Sequence, residues 1–213
     1  MAKRPAHSTI SILALMLALF FPIPALASSG AATEGEFELL EDEPSKHEKG
    51  KVILYEFADF YCPHCHMFER IVVTKLKEEF GDRLEARLIG FPVMPGKLPT
   101  AFEMYEQAVS MGKGPEMKKE LFDSIHGKKI EVFDKTIRRL LLQKLSLDVD
   151  SFEEGLASGA PFRTLEEGKA WGERIKVTHT PTVVIDGNMR VANLTEENLR
   201  TIIRSILEQD KNS

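Results

Sequence analysis

The chain has 213 residues, with 28 Lys and Arg against 33 Asp and Glu and a formal net charge of −5. That balance argues against a nucleic-acid partner, which needs clustered basic side chains to displace phosphate counterions, and no basic amphipathic segment suits a membrane surface. The length suffices for one domain with a full core, or one domain carrying an insertion.

The first residues carry an export signal rather than a fold. Lys3 and Arg4 precede an apolar run of 12 residues, Ile10–Phe21, and Pro22, Pro24 and the small-x-small Ala25-Leu26-Ala27 follow. At about 1.5 Å per residue such a run cannot span a hydrocarbon core of ~30 Å, which disfavours an uncleaved anchor. Residues 1–27 therefore read as a cleaved secretory signal peptide. No Cys at the cleavage site supports a lipoprotein.

Residues 28–48 are acidic and rich in Gly, Ser and Glu, and are expected to be a flexible segment, within which Phe37–Leu40 could add a short edge strand. Lys51–Phe60 (KVILYEFADF) is β-rich and almost unbroken in its apolar run, as in a strand covered on both faces. The period then changes: Cys65, Phe68, Val72, Leu76 and Phe80 form a helical stripe that Gly81 ends. Leu84–Phe91 (LEARLIGF) predicts a second strand, parallel to the first because a helix connects them.

Residues 100–172 predict helices only. Phe102, Tyr105, Ala108 and Val109 make one stripe, and Met117, Leu121 and Phe122 a second. Phe133, Ile137, Leu140, Leu141 and Leu145 make a third, with shorter helices at Ser151–Ala157 and Pro161–Ile175. The chain then returns to β: Thr182–Ile185, an Asp186-Gly187 hairpin turn and Met189–Val191. Thr195 is the expected N-cap of a last helix whose core face is Leu199, Ile202, Ile203, Ile206 and Leu207. The order is that of one α/β domain interrupted by a helical insertion.

Both cysteines of the chain lie in Asp59–Phe68 (DFYCPHCHMF), two residues apart. Zinc would need four ligands, and the chain offers no second Cys-x-x-Cys. A structural clip would close too small a loop to stabilise much. Redox exchange suits the pattern better. The period switch puts Cys62 at the junction of strand and helix, with Pro63 in the first turn. There the unpaired N–H groups and the helix dipole stabilise a thiolate. Cys65, one turn on, begins the buried stripe. One exposed, activated thiol and one shielded, resolving thiol are therefore expected.

With these residues the chain resembles the DsbA-like periplasmic thiol–disulfide oxidoreductases. The resemblance rests on Cys62-Pro63-His64-Cys65, the preceding LYEFADFY, the helical insertion and THTPTVVIDG before the hairpin. It implies a thioredoxin fold with an inserted all-helical domain: residues 49–99 and 173–213 forming the thioredoxin-like part, 100–172 the insertion. It implies that Cys62 attacks and Cys65 resolves, and that His64 tunes the potential by bonding the Cys62 thiolate, unless it merely faces solvent. His66 is read as an ordinary surface or groove residue. Glu56 falls where the fold keeps a buried acid able to relay the Cys65 proton; strand alternation could instead point it to solvent. The family's companion lysine is not apparent in LEARLIGF, where only Arg87 is near. Thr180-Pro181 matches the family's cis-proline beside the disulfide, with His179 and Thr180 as departures at a site expected to bind substrate main chain.

The function implied is that of a periplasmic oxidase donating a Cys62–Cys65 disulfide to reduced, cysteine-containing secreted proteins, recharged by a membrane redox partner. It would be monomeric, without metal or cofactor. A reductase or isomerase-type protein fed by a membrane electron donor is the alternative, supported by Thr180. Residues 28–51 are too short for the separate dimerisation domain of isomerases, and a binding module that merely retains the motif is the remaining class.

Overall fold

A computed structural model describes residues 32–95, 97, 99–130, 132 and 134–212. The expected signal peptide, residues 1–27, and Phe133 lie outside these. Among the described residues no helix is long and apolar enough to cross a membrane.

A five-stranded sheet orders its strands β1-β5-β4-β2-β3. Its centre is β2 (Val52–Ala58), every residue of which is buried. It pairs in parallel with β3 (Leu84–Gly90), and antiparallel with β4 (Thr182–Ile185). The hairpin partner β5 (Met189–Val191) follows Asp186 and Gly187, which take φ of 48° and 82°, the positive values of the expected turn. The edge strand β1 (Phe37–Leu39) pairs antiparallel with β5.

Alternation along β2 sends its side chains to two different cores. Val52 and Leu54 pack with the helices that cover one face, α2 (Thr74–Phe80) and the C-terminal α8 (Glu196–Asn212). Ile53, Tyr55 and Phe57 meet Trp171 and Ile175 on the other. Glu56, in phase with Val52 and Leu54, points toward the cysteine-bearing helix. That helix begins as α1 (Pro63–Phe68) and runs into α2 through a π-helical turn, Glu69–Val73. The wide turn adds a residue and shifts the stripe, so Val73 (3 % exposed) takes the core place expected of Val72.

The insertion consists of α3 (Thr100–Ser110), α4 (Gly114–Phe122) with a π turn at Asp123–Gly127, α5 (Lys135–Lys144), α6 (Val149–Ala157) and α7 (Ala160–Arg174). Two stripe assignments change. Leu140 is 56 % and Val109 45 % exposed. On α5 the inward place goes to Arg138, whose guanidinium forks onto Glu153 of α6 at 2.6 and 2.7 Å. On α3 it is Ala108 and Gln107 that turn inward.

The boundary expected at residue 172 falls inside α7, which serves both parts. Leu165 joins the insertion core and Trp171 the sheet. A Cβ at Gly172 would meet Phe91 at 2.6 Å and one at Gly168 would meet Ile89 at 2.8 Å, so the two glycines let α7 lie close on the sheet.

The acidic segment expected to be flexible is docked where it is described. Beyond the β1 pairing, the buried Glu43 accepts from Trp171 Nε1 at 3.1 Å and from Arg174 at 2.6 Å. His47 bridges Asp186 and Asp210, each at 2.8 Å. The charges that suggested a solvated tail are used as partners.

Candidate active site

The chain leaves β2 at Ala58 and turns through Asp59, a fully buried carboxylate. Its Oδ1 accepts the Tyr61 N–H at 2.8 Å, and its Oδ2 accepts the N–H groups of Val93 and Met94 at 2.7 and 2.9 Å. The Asp59 carbonyl receives the Cys62 N–H at 3.0 Å. This turn delivers Cys62 to the N-cap of α1 in extended backbone (φ −81°, ψ 117°), with Pro63 at the first helical position.

Both cysteines are thiols here. Cys62 is only 6 % exposed and Cys65 not at all, so the expected exposure of Cys62 is reduced to an edge. The cause is remote in sequence. The Thr180–Pro181 bond is cis, and the Thr180 carbonyl accepts from the Cys62 thiol at 3.6 Å. The Thr180 hydroxyl is buried without a hydrogen-bond partner among the described residues, and its influence falls on the Cys65 thiol, whose proton affinity it lowers. Burial, and then the nearby Glu56 carboxyl, push the Cys65 thiol well above the ordinary cysteine range, against the opposing pull of the Asp59 backbone and the Thr180 hydroxyl.

Glu56 is 1 % exposed and faces Cys65, not solvent. Neither of its carboxyl oxygens meets a donor. Glu69 lies close enough to bond it once one of the two carboxyls holds a proton. Loss of hydration and the neighbouring Glu69 charge raise the proton affinity of Glu56 well above that of a free carboxylate, and Lys118 opposes this. Lys118, 9 % exposed on α4, is ion-paired with Glu69. A cation therefore does reach the buried acid, but from the insertion. Arg87 cannot supply it: one register step along β3 points it to the other face, over the Tyr55 ring and paired with Glu85. Glu69 and Lys118 also line a groove of about 590 Å³ between the cysteine helix and α4.

His64 is exposed on α1, and among the described residues no hydrogen bond joins it to Cys62. Residues two apart at a helix start point in different directions, so the expected bond to the sulfur is not made. His179 is exposed beside the cis bond, its Nδ1 3.3 Å from the Thr178 hydroxyl, and its carbonyl accepts from Thr182 Oγ1 at 2.8 Å. It also lines a small groove of about 210 Å³ with Pro181. His66 is half-buried, its ring stacked on Phe122.

Thus Cys62, Cys65, Glu56, Thr180 and Pro181 converge, with His64 and His179 at the rim. Asp59, Glu69 and Lys118 went unread in sequence. Only Asp59 left a local signal, since an Asp bonding the N–H two residues on is a common turn device.

The thioredoxin family model matches residues 47–205. Among curated proteins, the thiol:disulfide interchange protein DsbA of Pseudomonas aeruginosa is 26 % identical over 184 residues, covering 84 % of each chain. The DsbA of Burkholderia cepacia is 21 % identical over 182 residues, 85 % of each. Among solved structures, DsbA from Xylella fastidiosa superposes with a TM-score of 0.65 at 17 % identity, over 84 % of this chain and 96 % of that one. Pseudomonas aeruginosa DsbA gives 0.64 at 20 %, over 84 % and 93 %. The chain belongs to the thioredoxin family as a DsbA-like protein.

Proposed function

We propose that this chain is a periplasmic thiol:disulfide oxidoreductase that passes a Cys62–Cys65 disulfide to reduced, cysteine-containing secreted proteins. The observation that carries this reading is the asymmetry of the two sulfurs. Cys62 heads the helix and keeps an accessible edge, whereas Cys65 is sealed in beside Glu56.

A substrate thiolate attacks the Cys62 sulfur of the disulfide. The Cys62–Cys65 bond breaks, a mixed disulfide forms, and Cys65 leaves with the electron pair. A thiol of such high proton affinity is a poor leaving group unless a proton reaches it, and Glu56 is the acid within the same enclosure. A second substrate thiolate then attacks the substrate sulfur of the mixed disulfide, and Cys62 departs as a thiolate facing the helix N-terminus. The substrate has lost two electrons and two protons, and the cysteine pair has gained two electrons. A membrane redox partner withdraws them and restores the disulfide. In the disulfide and in the mixed disulfide Cys62 carries no S–H, so the Thr180 carbonyl, which accepts from the Cys62 thiol of the reduced form, is free to accept from an extended substrate segment. Main-chain pairing of this kind tolerates many sequences.

The alternative, a reductase recharged by an electron donor, draws on Thr180 standing before the cis-proline, where the resemblance implies valine for an oxidase. The two are separated by the equilibrium constant of the couple against glutathione and by refolding of a reduced, disulfide-requiring protein. An oxidant forms the missing disulfides in stoichiometric amounts. A couple as reducing as a cytosolic thioredoxin, at about −270 mV, would overturn the oxidase reading.

A further inference from the structure

The helical insertion grips the cysteine loop on both sides of Cys62. Phe60, two residues before it, is fully buried, its ring set among Phe102, Tyr105 and Phe122 at centroid distances of 5.4, 5.8 and 4.9 Å. Its carbonyl accepts from His126 Nε2 at 2.9 Å. A carbonyl can only accept, so that nitrogen carries a proton. After Cys62, His66 gives its N–H to the Cys62 carbonyl at 3.2 Å. The His66 ring stacks on His126 with centroids 4.8 Å apart and planes within 11°. His126 belongs to the π turn Asp123–Gly127 that ends α4, and such turns are frequent at functional sites.

The peptide joining Phe60 to Tyr61 is thereby held at both ends. Asp59 accepts its N–H at 2.8 Å, and His126 donates to its carbonyl. This is the peptide plane immediately ahead of the one that leads into Cys62. Release of its carbonyl removes one of the restraints on this plane and loosens the loop that directs the Cys62 sulfur.

We infer that His126 is a positioning residue for the thiol–disulfide reaction, fixing the loop that aims the Cys62 sulfur through the Phe60 carbonyl and the His66 ring. The inference rests on the oxidoreductase reading above and gives the insertion a part in setting the reactivity of the couple. His126 acts through Phe60 and His66, so its loss tunes the reaction without abolishing it.

Two substitutions separate donor from ring. His126→Gln retains an N–H able to reach the Phe60 carbonyl, and His126→Phe retains the stack on His66 without a donor. Each is compared with the unsubstituted protein for its equilibrium constant with glutathione, its rate of Cys62 alkylation at fixed pH, and its melting temperature. The expected result is that His126→Gln stays within about twofold in both chemical readouts. His126→Phe makes the couple less oxidising by about fivefold, the worth of one net hydrogen bond, and its alkylation slows in step. If His126→Phe does not fold, His126→Asn, with its donor one bond too short, takes its place. Equal behaviour of the donor-retaining and donor-free variants, or changes that follow melting temperature alone, would overturn the inference. If the unsubstituted protein exchanged no disulfide with glutathione, the oxidoreductase reading would fall. Cys62 alkylation needs no such exchange and would still report on His126.

Discussion

Thr180 acts on both sulfurs: its carbonyl takes the Cys62 thiol at 3.6 Å, and its buried hydroxyl, without a hydrogen-bond partner among the described residues, lowers the proton affinity of Cys65. The two contacts act on different forms of the protein. The carbonyl suits a Cys62 thiol and is released by the thiolate, whereas the hydroxyl favours negative charge on Cys65 as it leaves. Replacing Thr180 with valine deletes only the second. Thr180→Val is expected to make the couple slightly more reducing, by at most about 30 mV, and to slow release of Cys65 from the disulfide. Stability should hold or rise, because a buried hydroxyl without an oxygen or nitrogen partner is removed. An unchanged potential and an unchanged exchange rate would show that the hydroxyl does not serve the sulfur.

The enclosed acid makes a prediction about stability and rate together. Burial raises the proton affinity of Glu56 in the folded protein, so between the free-carboxylate value of about 4.3 and its raised value the native state holds a proton that the unfolded chain has released. Folding stability therefore falls across that window as pH rises. Glu56→Gln removes the dependence and should stabilise the protein at neutral pH, on the order of 1–3 kcal/mol for an unsatisfied buried group, while slowing Cys65 release about tenfold or more. Lys118→Met withdraws the cation that opposes proton uptake and should move the pH profile of that step to higher pH. A variant at Glu56 with unaltered pH dependence of stability would mean that the acid is not the buried titrating group.

The division of labour between the cysteines can be read by trapping. Cys65→Ser lacks the resolving thiol and should accumulate mixed disulfides through Cys62 with reduced secreted proteins, and Cys62→Ser should accumulate almost none. In the reduced protein Cys62 should take up alkylating agent first, because Cys65 is wholly enclosed. Equal trapping by the two variants would show that either sulfur can attack.

What was legible in the sequence is what depends on neighbours along the chain. The change of period at Cys62, the turn at Asp186 and Gly187, and the apolar run of β2 each follow from a few consecutive residues, and so do the helix entry of Cys62 and the burial of Cys65. Contacts made at a distance were not legible. Cys62 is covered by a residue 118 positions away, and the cation for the buried acid comes from α4, 49 positions beyond Glu69. The π turn at Glu69–Val73 has no composition of its own, and it moved the stripe from Val72 to Val73. Arg138 displaced Leu140 from the core only because Glu153 stands across from it. The acidic segment misled for the same reason, since charge density marks a solvated tail until its partners are known.

That segment supplies the last prediction. His47 lies between Asp186 Oδ2 and Asp210 Oδ1, each at 2.8 Å, and an imidazole can donate to both only when protonated. It thus joins the N-terminal segment to the β4–β5 turn and to the end of α8. Burial alone would lower its proton affinity, but the two carboxylates outweigh burial and raise it. The partners differ in sign. Asp186 is raised, because its complete burial outweighs the bonds to Ile53 and His47. Asp210 is lowered, burial being overcome by the Gly50 N–H and His47. The titration of His47, whose ordinary value lies nearest neutrality, governs the behaviour there. A group whose folded value is raised contributes fully below its unfolded value, about 6.5 for histidine, and the contribution is lost as pH rises through the folded value. The clasp should therefore stabilise most between the acid range in which Asp186, the first of the two carboxylates to take a proton, loses its charge and about pH 6.5, and fade above it. His47→Gln should destabilise by on the order of 1 kcal/mol near pH 6, the scale of a partly exposed ion pair, and by distinctly less near pH 9. Denaturant midpoints at the two pH values, with unchanged slopes, measure this. A destabilisation equal at both would mean that His47 holds its place by packing alone and that its charge takes no part.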